Sequence, residues 1–149
     1  MRAYEIMTTD VIAVEPGATV EEIAELLTAH RINSLPVVDG ENRVVGIVSK
    51  DDLFLKEKCV PFSTLKLPAL FNEWVDKGNL IEAYKKARNR TASDVMKTEI
   101  VSVDIREDIE EVALLMAVRE LASIPVLCGG RLAGIISRSD LIRSMAKAG

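Results

Sequence analysis

A Ser-x-x-Asp motif follows an apolar run at two places in the chain: Ser49, Lys50 and Asp52, then Ser137, Arg138 and Asp140. A carboxylate one turn into a helix can accept both hydroxyls of a ribose, and each charge-assisted hydrogen bond of this kind contributes roughly 1.5–3 kcal/mol. The serine and the neighbouring cation stand at the helix start, where free backbone N–H groups and the helix dipole favour a phosphate. The arginine makes the second motif the better phosphate partner.

The same spacing also fits a plain helix cap. A serine hydroxyl and an aspartate three residues later can each satisfy a free amide of the first turn, which stabilises a helix by about 1 kcal/mol and binds nothing. A structural cap would be duplicated along with everything else. Both interpretations therefore stay open.

Both motifs lie inside a longer internal repeat. Met7–Val14 returns as Met96–Val103, Leu35–Val38 returns as Ile124–Leu127, and Gly46–Leu53 returns as Gly134–Leu141. The offset is 89 residues up to Gly40 and 88 from Arg43 onward, so the second copy has lost one residue from a turn. A duplicated unit that keeps the polar motif predicts two equivalent sites.

Each repeat predicts the order strand, helix, strand, turn, strand, helix. Val11–Val14 is a short extended run, and capping boxes at Thr19 and Asp108 predict the starts of the first helices. The next helices are expected from Ser49 and Ser137. The fold class is α/β (α+β), with two repeats that each contain a small three-stranded sheet and two helices. The expected division is 1–57, 58–92 for the inter-repeat segment, and 93–149.

In their order, these motifs resemble a tandem pair of cystathionine-β-synthase (CBS) domains. The resemblance covers residues 6 to about 57 and 93 to about 145. It implies a pseudo-twofold pair packed through its sheets, with two clefts that commonly take AMP, ADP, ATP or S-adenosylmethionine. It also implies regulation by the ligand rather than chemistry on it. One departure is the serine before each motif aspartate, where many nucleotide-binding pairs have threonine.

An adenine ring needs a flat apolar slot, and small-ligand sites are generally apolar with few polar groups. The predicted walls of the first slot are Val11, Ile12, Leu35 and Pro36. The predicted walls of the second slot are Ile100, Val101, Ile124 and Pro125.

The composition excludes several function classes. The 149 residues carry a net charge of −4 without any basic run, so nucleic acid is not an expected partner. Two scattered cysteines, Cys59 and Cys128, indicate reduced thiols, and no apolar stretch approaches the about 20 residues that a membrane span needs. We therefore expect a cytoplasmic protein. With His30 as the only histidine, no catalytic constellation or metal site is present, and no enzyme activity is expected.

The segment from Lys56 to Arg90 is not duplicated. Leu67, Leu70, Phe71 and Trp74 would share one face of a short helix, which would either pack on a repeat or partner or cover a site.

The expected function is a stand-alone sensor of an adenosine-containing ligand, acting as a homodimer on an enzyme or transporter. The predicted self-association face comprises Ile23 and Leu27, or Val112 and Met116, with the final helices. The alternative is a ligand-free interaction scaffold in which both Ser-x-x-Asp motifs are only caps.

Overall fold

The computed structural model describes residues 1–54, 85 and 88–148. The first half of the chain contains α1 (Ala3–Ile6), α2 (Val20–His30), β1 (Ser34–Val38), β2 (Val44–Ser49) and α3 (Lys50–Phe54). The second half contains α4 (Ala92–Val95), β3 (Val103–Asp104), α5 (Ile109–Val118), β4 (Ser123–Cys128), β5 (Arg131–Ser137) and α6 (Arg138–Ala148). This confirms the mixed helix-and-sheet fold with two repeats. The predicted helix at Trp74 and the thiol of Cys59 lie outside the described residues.

Each repeat forms the predicted β-hairpin. β1 runs antiparallel to β2 with Ser34 opposite Ser49, and β4 runs antiparallel to β5 with Ser123 opposite Ser137. The hairpin therefore places a second serine across from the serine of each Ser-x-x-Asp motif.

The third strand differs between the repeats. In the second repeat β3 pairs in parallel with β4, and the N–H of Ile105 extends the ladder by donating to Leu127 over 3.0 Å. Pro16 occupies the equivalent position of the first repeat and has no N–H to donate, so pairing there stops at a single bridge between Val14 and Val37. The predicted strand at Val11–Val14 is thus reduced to one bridged residue, and the first sheet has two strands.

The first predicted capping box is confirmed and the second is not. At the start of α2 the hydroxyl of Thr19 accepts the Glu22 N–H over 3.1 Å, and the Glu22 carboxylate accepts the Thr19 N–H over 3.4 Å. Asp108 does precede α5, but its side chain accepts no helix N–H. Its carboxylate instead forms an ion pair with Arg2 at 2.9 Å.

The opening segments of the two repeats are exchanged. Ala3, in α1, is fully buried in the core of the second repeat, and its N–H donates to the Glu107 carbonyl over 2.7 Å. In the same way α4 packs into the core of the first repeat, where Ala92 donates to the Ala18 carbonyl over 2.7 Å. Each hydrophobic core is therefore completed by a segment that belongs, in sequence, to the other copy.

Two methionines hold these exchanged segments against the hairpins. A Cβ atom added to Gly134 would lie 2.6 Å from the Met7 sulfur and 2.9 Å from the Thr8 carbonyl oxygen. A Cβ on Gly46 would likewise meet Met96, whose own Cβ would be 3.0 Å away. The glycine in each Gly-x-x-Ser-x-x-Asp run is thus required by the close approach of the other repeat.

The helix faces predicted to be exposed are buried. Ile23, Leu27, Val112 and Met116 belong to the two cores, because these sides of α2 and α5 pack against the sheets. The exposed apolar side chains of the second repeat lie elsewhere on α5 and α6, at Leu114, Val118, Ile142 and Met145.

Candidate functional site

A cleft of about 420 Å³ lies between the two repeats. The first repeat contributes the starts of β1 and α3, and the second contributes the segment before β3 and the turn between α5 and β4. The lining residues are Asn33, Ser34, Ile47, Ser49, Lys50, Asp51, Lys97, Glu99, Val101, Glu120, Leu121, Ala122 and Ser123. Such a cleft falls within the size range of small-molecule sites.

The backbone that forms this cleft is fixed by pairing across the repeats. Ile47 and Lys97 exchange two backbone hydrogen bonds, at 3.0 and 2.9 Å. Thr8 and Ile135 make the same exchange on the pseudo-symmetric side, at 2.8 and 2.9 Å. The Met-x-Thr openings therefore act as short edge strands of the other repeat's hairpin, and Lys97 is brought to the first Ser-x-x-Asp motif.

The first motif forms a cap behind the cleft wall. One carboxylate oxygen of Asp52 accepts the N–H of Ser49 over 2.9 Å and its hydroxyl over 3.0 Å. Asp52 is only 1% exposed, and its other carboxylate oxygen lies 3.8 Å from the Lys97 amine. The aspartate thus orients Ser49, which faces the cleft, rather than facing the cleft itself.

The second motif forms the same cap with different neighbours. Asp140 accepts the Ser137 N–H over 2.8 Å and the Ser137 hydroxyl over 3.1 Å, and its own N–H donates to that hydroxyl over 3.2 Å. The guanidinium of Arg143 lies 2.5 Å from the second carboxylate oxygen. The Thr8 hydroxyl is 3.4 and 3.5 Å from the two oxygens.

The structure brings only some of the predicted residues to the cleft. Ser49, Lys50 and Val101 line it, whereas Val11, Ile12 and Ile100 are half-buried and are not among its lining residues. The central strand residues of the predicted adenine slots are buried in the hairpins: Leu35, Pro36, Ile124 and Pro125. Ser137 and Arg138 are not among the lining residues either, because they lie at the second motif, on the side of the Thr8–Ile135 pairing.

Several cleft residues were missed by the sequence reasoning. Lys97 was overlooked because it lies in the opening of the other repeat, 45 positions from Asp52 in the sequence. Ser34 and Ser123 precede the two hydrophobic-Pro-Val runs at equivalent positions, and this duplicated serine was a signal that could have been used.

The cleft carries mixed charge. Lys50 and Lys97 supply two cations, and Asp51, Glu99 and Glu120 supply three anions. Among the residues that the structure describes, the Lys50 amine has no ion-pair or hydrogen-bond partner, so its charge is available to a ligand. Such a pattern suits a ligand that has both an anionic group and hydrogen-bond donors.

No group of three or more potential metal ligands occurs in the described part of the chain. Within the same residues, no helix has the length and apolar character needed to cross a bilayer. Among the described residues, one carboxyl with a lowered pKa lies outside the cleft, at the turn of the first hairpin. There the N–H groups of Arg43 and then Glu41 hold the pKa of Asp39 below its usual value.

The CBS domain family model matches residues 3–57 and 92–147. The chain is 27% identical over 146 residues to the chloroplastic CBS domain-containing protein CBSX1 of Arabidopsis thaliana, covering 94% of this chain and 62% of that protein. It is 30% identical over 144 residues to a CBS domain-containing protein of Dictyostelium discoideum, covering 96% and 90%. It therefore spans less than two thirds of the first relative and most of the second.

Solved structures show the same fold. The crystal structure of CBSX2 in complex with AMP matches with a TM-score of 0.73 at 25% identity, over 99% of this chain and 97% of that one. The CBS domain pair of MJ0100, in complex with 5′-methylthioadenosine and S-adenosylmethionine, matches with a TM-score of 0.70 at 20% identity, over 100% and 98%. The latter match concerns the fold alone.

Proposed function

Since this chain belongs to the CBS domain family, we propose that it is a regulatory module which binds an adenosine-containing ligand between its repeats and transmits occupancy to a partner protein. The observation that supports this proposal is the cleft itself, whose walls come from both repeats. A ligand there would contact both halves at once, so its binding energy would favour one relative placement of the repeats over others.

The cleft offers a partner for each part of such a ligand. Ile47, Val101 and Leu121 supply apolar surface for a purine ring. Ser49 supplies a hydroxyl for the ribose, and the Lys50 amine supplies a cation for a phosphate. CBSX2, which is 25% identical, binds AMP, and this supports AMP as the first ligand to test.

The remaining predicted site residues stay predictions. Asp52 and Asp140 would reach a ribose through the carboxylate oxygen that does not cap the serine, which lies 3.8 Å from the Lys97 amine at Asp52 and binds the Arg143 guanidinium at Asp140. Leu35, Pro36, Ile124 and Pro125 reach a purine only if the cleft widens around their strands.

A thermal-shift panel with AMP, ADP, ATP and S-adenosylmethionine tests the function. A ligand that binds only the folded form adds about 2.7 kcal/mol at 100 times its dissociation constant. Lys50→Ala should reduce the shift for the phosphorylated ligands without changing the unliganded melting temperature. Arg106→Ala is a matched control, because this exposed cation follows β3 at the end of the sheet opposite Ser123. Flat curves for all four ligands would refute the proposal.

The second candidate function is a ligand-free interaction scaffold. The observation that favours it is that both motif aspartates bind the N–H and hydroxyl of their own serines. Under this alternative Lys50→Ala changes nothing, and the full ligand panel leaves the melting temperature unchanged.

We also propose that the module acts as a homodimer in the cytoplasm on an enzyme or transporter. The exposed apolar residues of α5 and α6 would form the self-association face: Leu114, Val118, Ile142 and Met145. Their exposure favours burial against a second copy, because covering exposed apolar side chains at an interface stabilises the assembly.

A further inference from the structure

Lys97 supplies a cation to the first cleft from the second repeat. Its side chain lines the cleft and is 60% exposed, and its amine lies 3.8 Å from the carboxylate of Asp52, which is 1% exposed. Among the described residues this amine makes no hydrogen bond, although an ammonium group has three N–H donors. The same amine can therefore keep its ion pair with the buried carboxylate and donate to an anion that enters the cleft.

The backbone of Lys97 is held in place before any ligand arrives. Its N–H donates to the Ile47 carbonyl over 2.9 Å, and its carbonyl accepts the Ile47 N–H over 3.0 Å. The preceding residue, Met96, packs closely against Gly46. A ligand thus has only the lysine side chain to order, which keeps the entropic cost of binding low.

The charge pattern of the cleft makes this position decisive for an anion. Lys50 and Lys97 are the two cations among its lining residues, and they come from different repeats. The other charged lining residues are the carboxylates Asp51, Glu99 and Glu120. These carboxylates would repel a phosphate, so among the charged lining groups only the two lysines attract it. An uncharged nucleoside does not depend on either lysine in this way.

The equivalent position of the first repeat offers a donor without a charge. Thr8 stands 89 residues before Lys97, and its hydroxyl lies 3.4 and 3.5 Å from the two carboxylate oxygens of Asp140. Both openings thus direct a donor to the motif aspartate of the other repeat, and only Lys97 adds a positive charge. Since the fold accepts threonine at this position, the pairing between the repeats does not require the ammonium group.

We propose that Lys97 is a specificity-determining residue of the first cleft, which selects adenosine-containing ligands that carry a phosphate over those that do not. This inference rests on the proposed function and adds a second cation, from the other repeat, to the Lys50 amine assigned to the phosphate there. The ammonium group of Lys97 would pair with Asp52 on its buried side and with the phosphate on its open side. The phosphate would then be held by one lysine from each repeat.

Isothermal titration of the full chain with AMP and with adenosine tests the proposal. The wild type should bind AMP at least about tenfold more tightly than adenosine, because only AMP gains charge-assisted hydrogen bonds. Lys97→Thr, which installs the residue of the equivalent position, should weaken AMP binding about tenfold or more and leave adenosine binding unchanged. Lys97→Gln should do the same, whereas Lys97→Arg keeps the charge and should retain the preference for AMP. Arg106→Ala is the control for loss of an exposed cation outside the cleft.

The outcomes separate this inference from the function it rests on. If Lys97 only supported the fold, its replacement would lower the affinities for AMP and adenosine by the same factor, and that result would overturn the inference. An AMP affinity that Lys97→Thr and Lys97→Gln leave unchanged would also overturn it, as would equal affinities of the wild type for AMP and adenosine. Binding of S-adenosylmethionine without any binding of AMP would do the same. In each of these cases the proposed function stands, because an adenosine-containing ligand is still bound. Failure of AMP, ADP, ATP, adenosine and S-adenosylmethionine to bind either the wild type or the variants would overturn both.

Discussion

The hydroxyl of Ser34 lies 3.1 Å from the hydroxyl of Ser123, which is its own equivalent 89 residues later in the chain. A residue can meet its counterpart only close to the axis that relates the two copies, so this pair marks the pseudo-twofold axis. Both serines also line the cleft. The two repeats therefore meet within the lining of the candidate site.

We expect this contact to couple the two repeats energetically. A double-mutant cycle with Ser34→Ala and Ser123→Ala should give a coupling of about 0.5–1.5 kcal/mol, the net value of one hydrogen bond. Urea unfolding followed by circular dichroism measures it. Strictly additive losses would show that the two hydroxyls do not stabilise each other.

Gly134→Ala should destabilise the protein by about 1–3 kcal/mol, the usual cost of overpacking. The new methyl group would meet the Thr8 carbonyl as well as Met7, and the backbone atom has less room to move than a side chain. Gly46→Ala, for which the three nearest atoms all belong to the flexible Met96 side chain, should cost less. Gly40→Ala is the control, since nothing lies within 4 Å of its added Cβ, and denaturant midpoints for the three variants should rank accordingly.

Asp140→Ala should lower the stability by about 1–3 kcal/mol in the absence of any ligand, because the Ser137 N–H and the Arg143 guanidinium both lose their acceptor. The loss should appear as a lower free energy of unfolding in urea. Asp140→Asn keeps one acceptor oxygen and should lose less. A melting temperature equal to that of the wild type would contradict the capping role seen in the structure.

The lowered pKa of Asp39 predicts that its carboxylate stabilises the first hairpin and that this stabilisation is lost in acid. Its folded-state pKa is lowered, chiefly by the N–H of Arg43 and then by that of Glu41. The stabilisation is therefore present above the unfolded-state pKa of about 3.9 and is lost as the pH falls through the folded-state value. The free energies of unfolding of the wild type and of Asp39→Asn should differ at pH 7 and become equal in acid. A difference in the free energy of unfolding that grows as the pH falls would contradict this prediction.

Val118→Glu should weaken self-association, since Val118 is 70% exposed on the apolar side of α5. Sedimentation velocity would show a shift from dimer to monomer with unchanged circular dichroism. Ala29→Glu, at the equivalent exposed position of α2, should leave the dimer intact because its neighbour Glu25 already makes that surface polar. A dimer that Val118→Glu leaves intact would place the interface elsewhere.

Local patterns were sufficient to predict the repeats, the hairpins and the Thr19 cap. Each depends on residues a few positions apart, such as Thr19 and Glu22. The same reasoning failed at Asp108, where Arg2 from the distant start of the chain takes the carboxylate that a local rule assigned to a helix amide.

The candidate site was predictable only in part, for a related reason. Ser49 and Lys50 follow from the motif, but Lys97 reaches the first motif through a backbone pairing between repeats that no local period reveals. The partner of Asp140 was within reach of the sequence, since Arg143 is three residues away on one helix. Helical spacing alone does not show whether the aspartate prefers that arginine or a ligand.

The exchange of α1 and α4 between the cores bears on how this fold can be divided and inherited. If the chain were cut between the two repeats, each fragment would lack the helix that brings Ala3 or Ala92 into its core. Each would also keep an opening helix that packs in the core of the other repeat. The smallest transplantable unit is accordingly the whole pair. A single-repeat ancestor would have had to form a dimer in which the two chains exchanged their opening helices. Gene duplication would then have fused the two chains of that dimer into one.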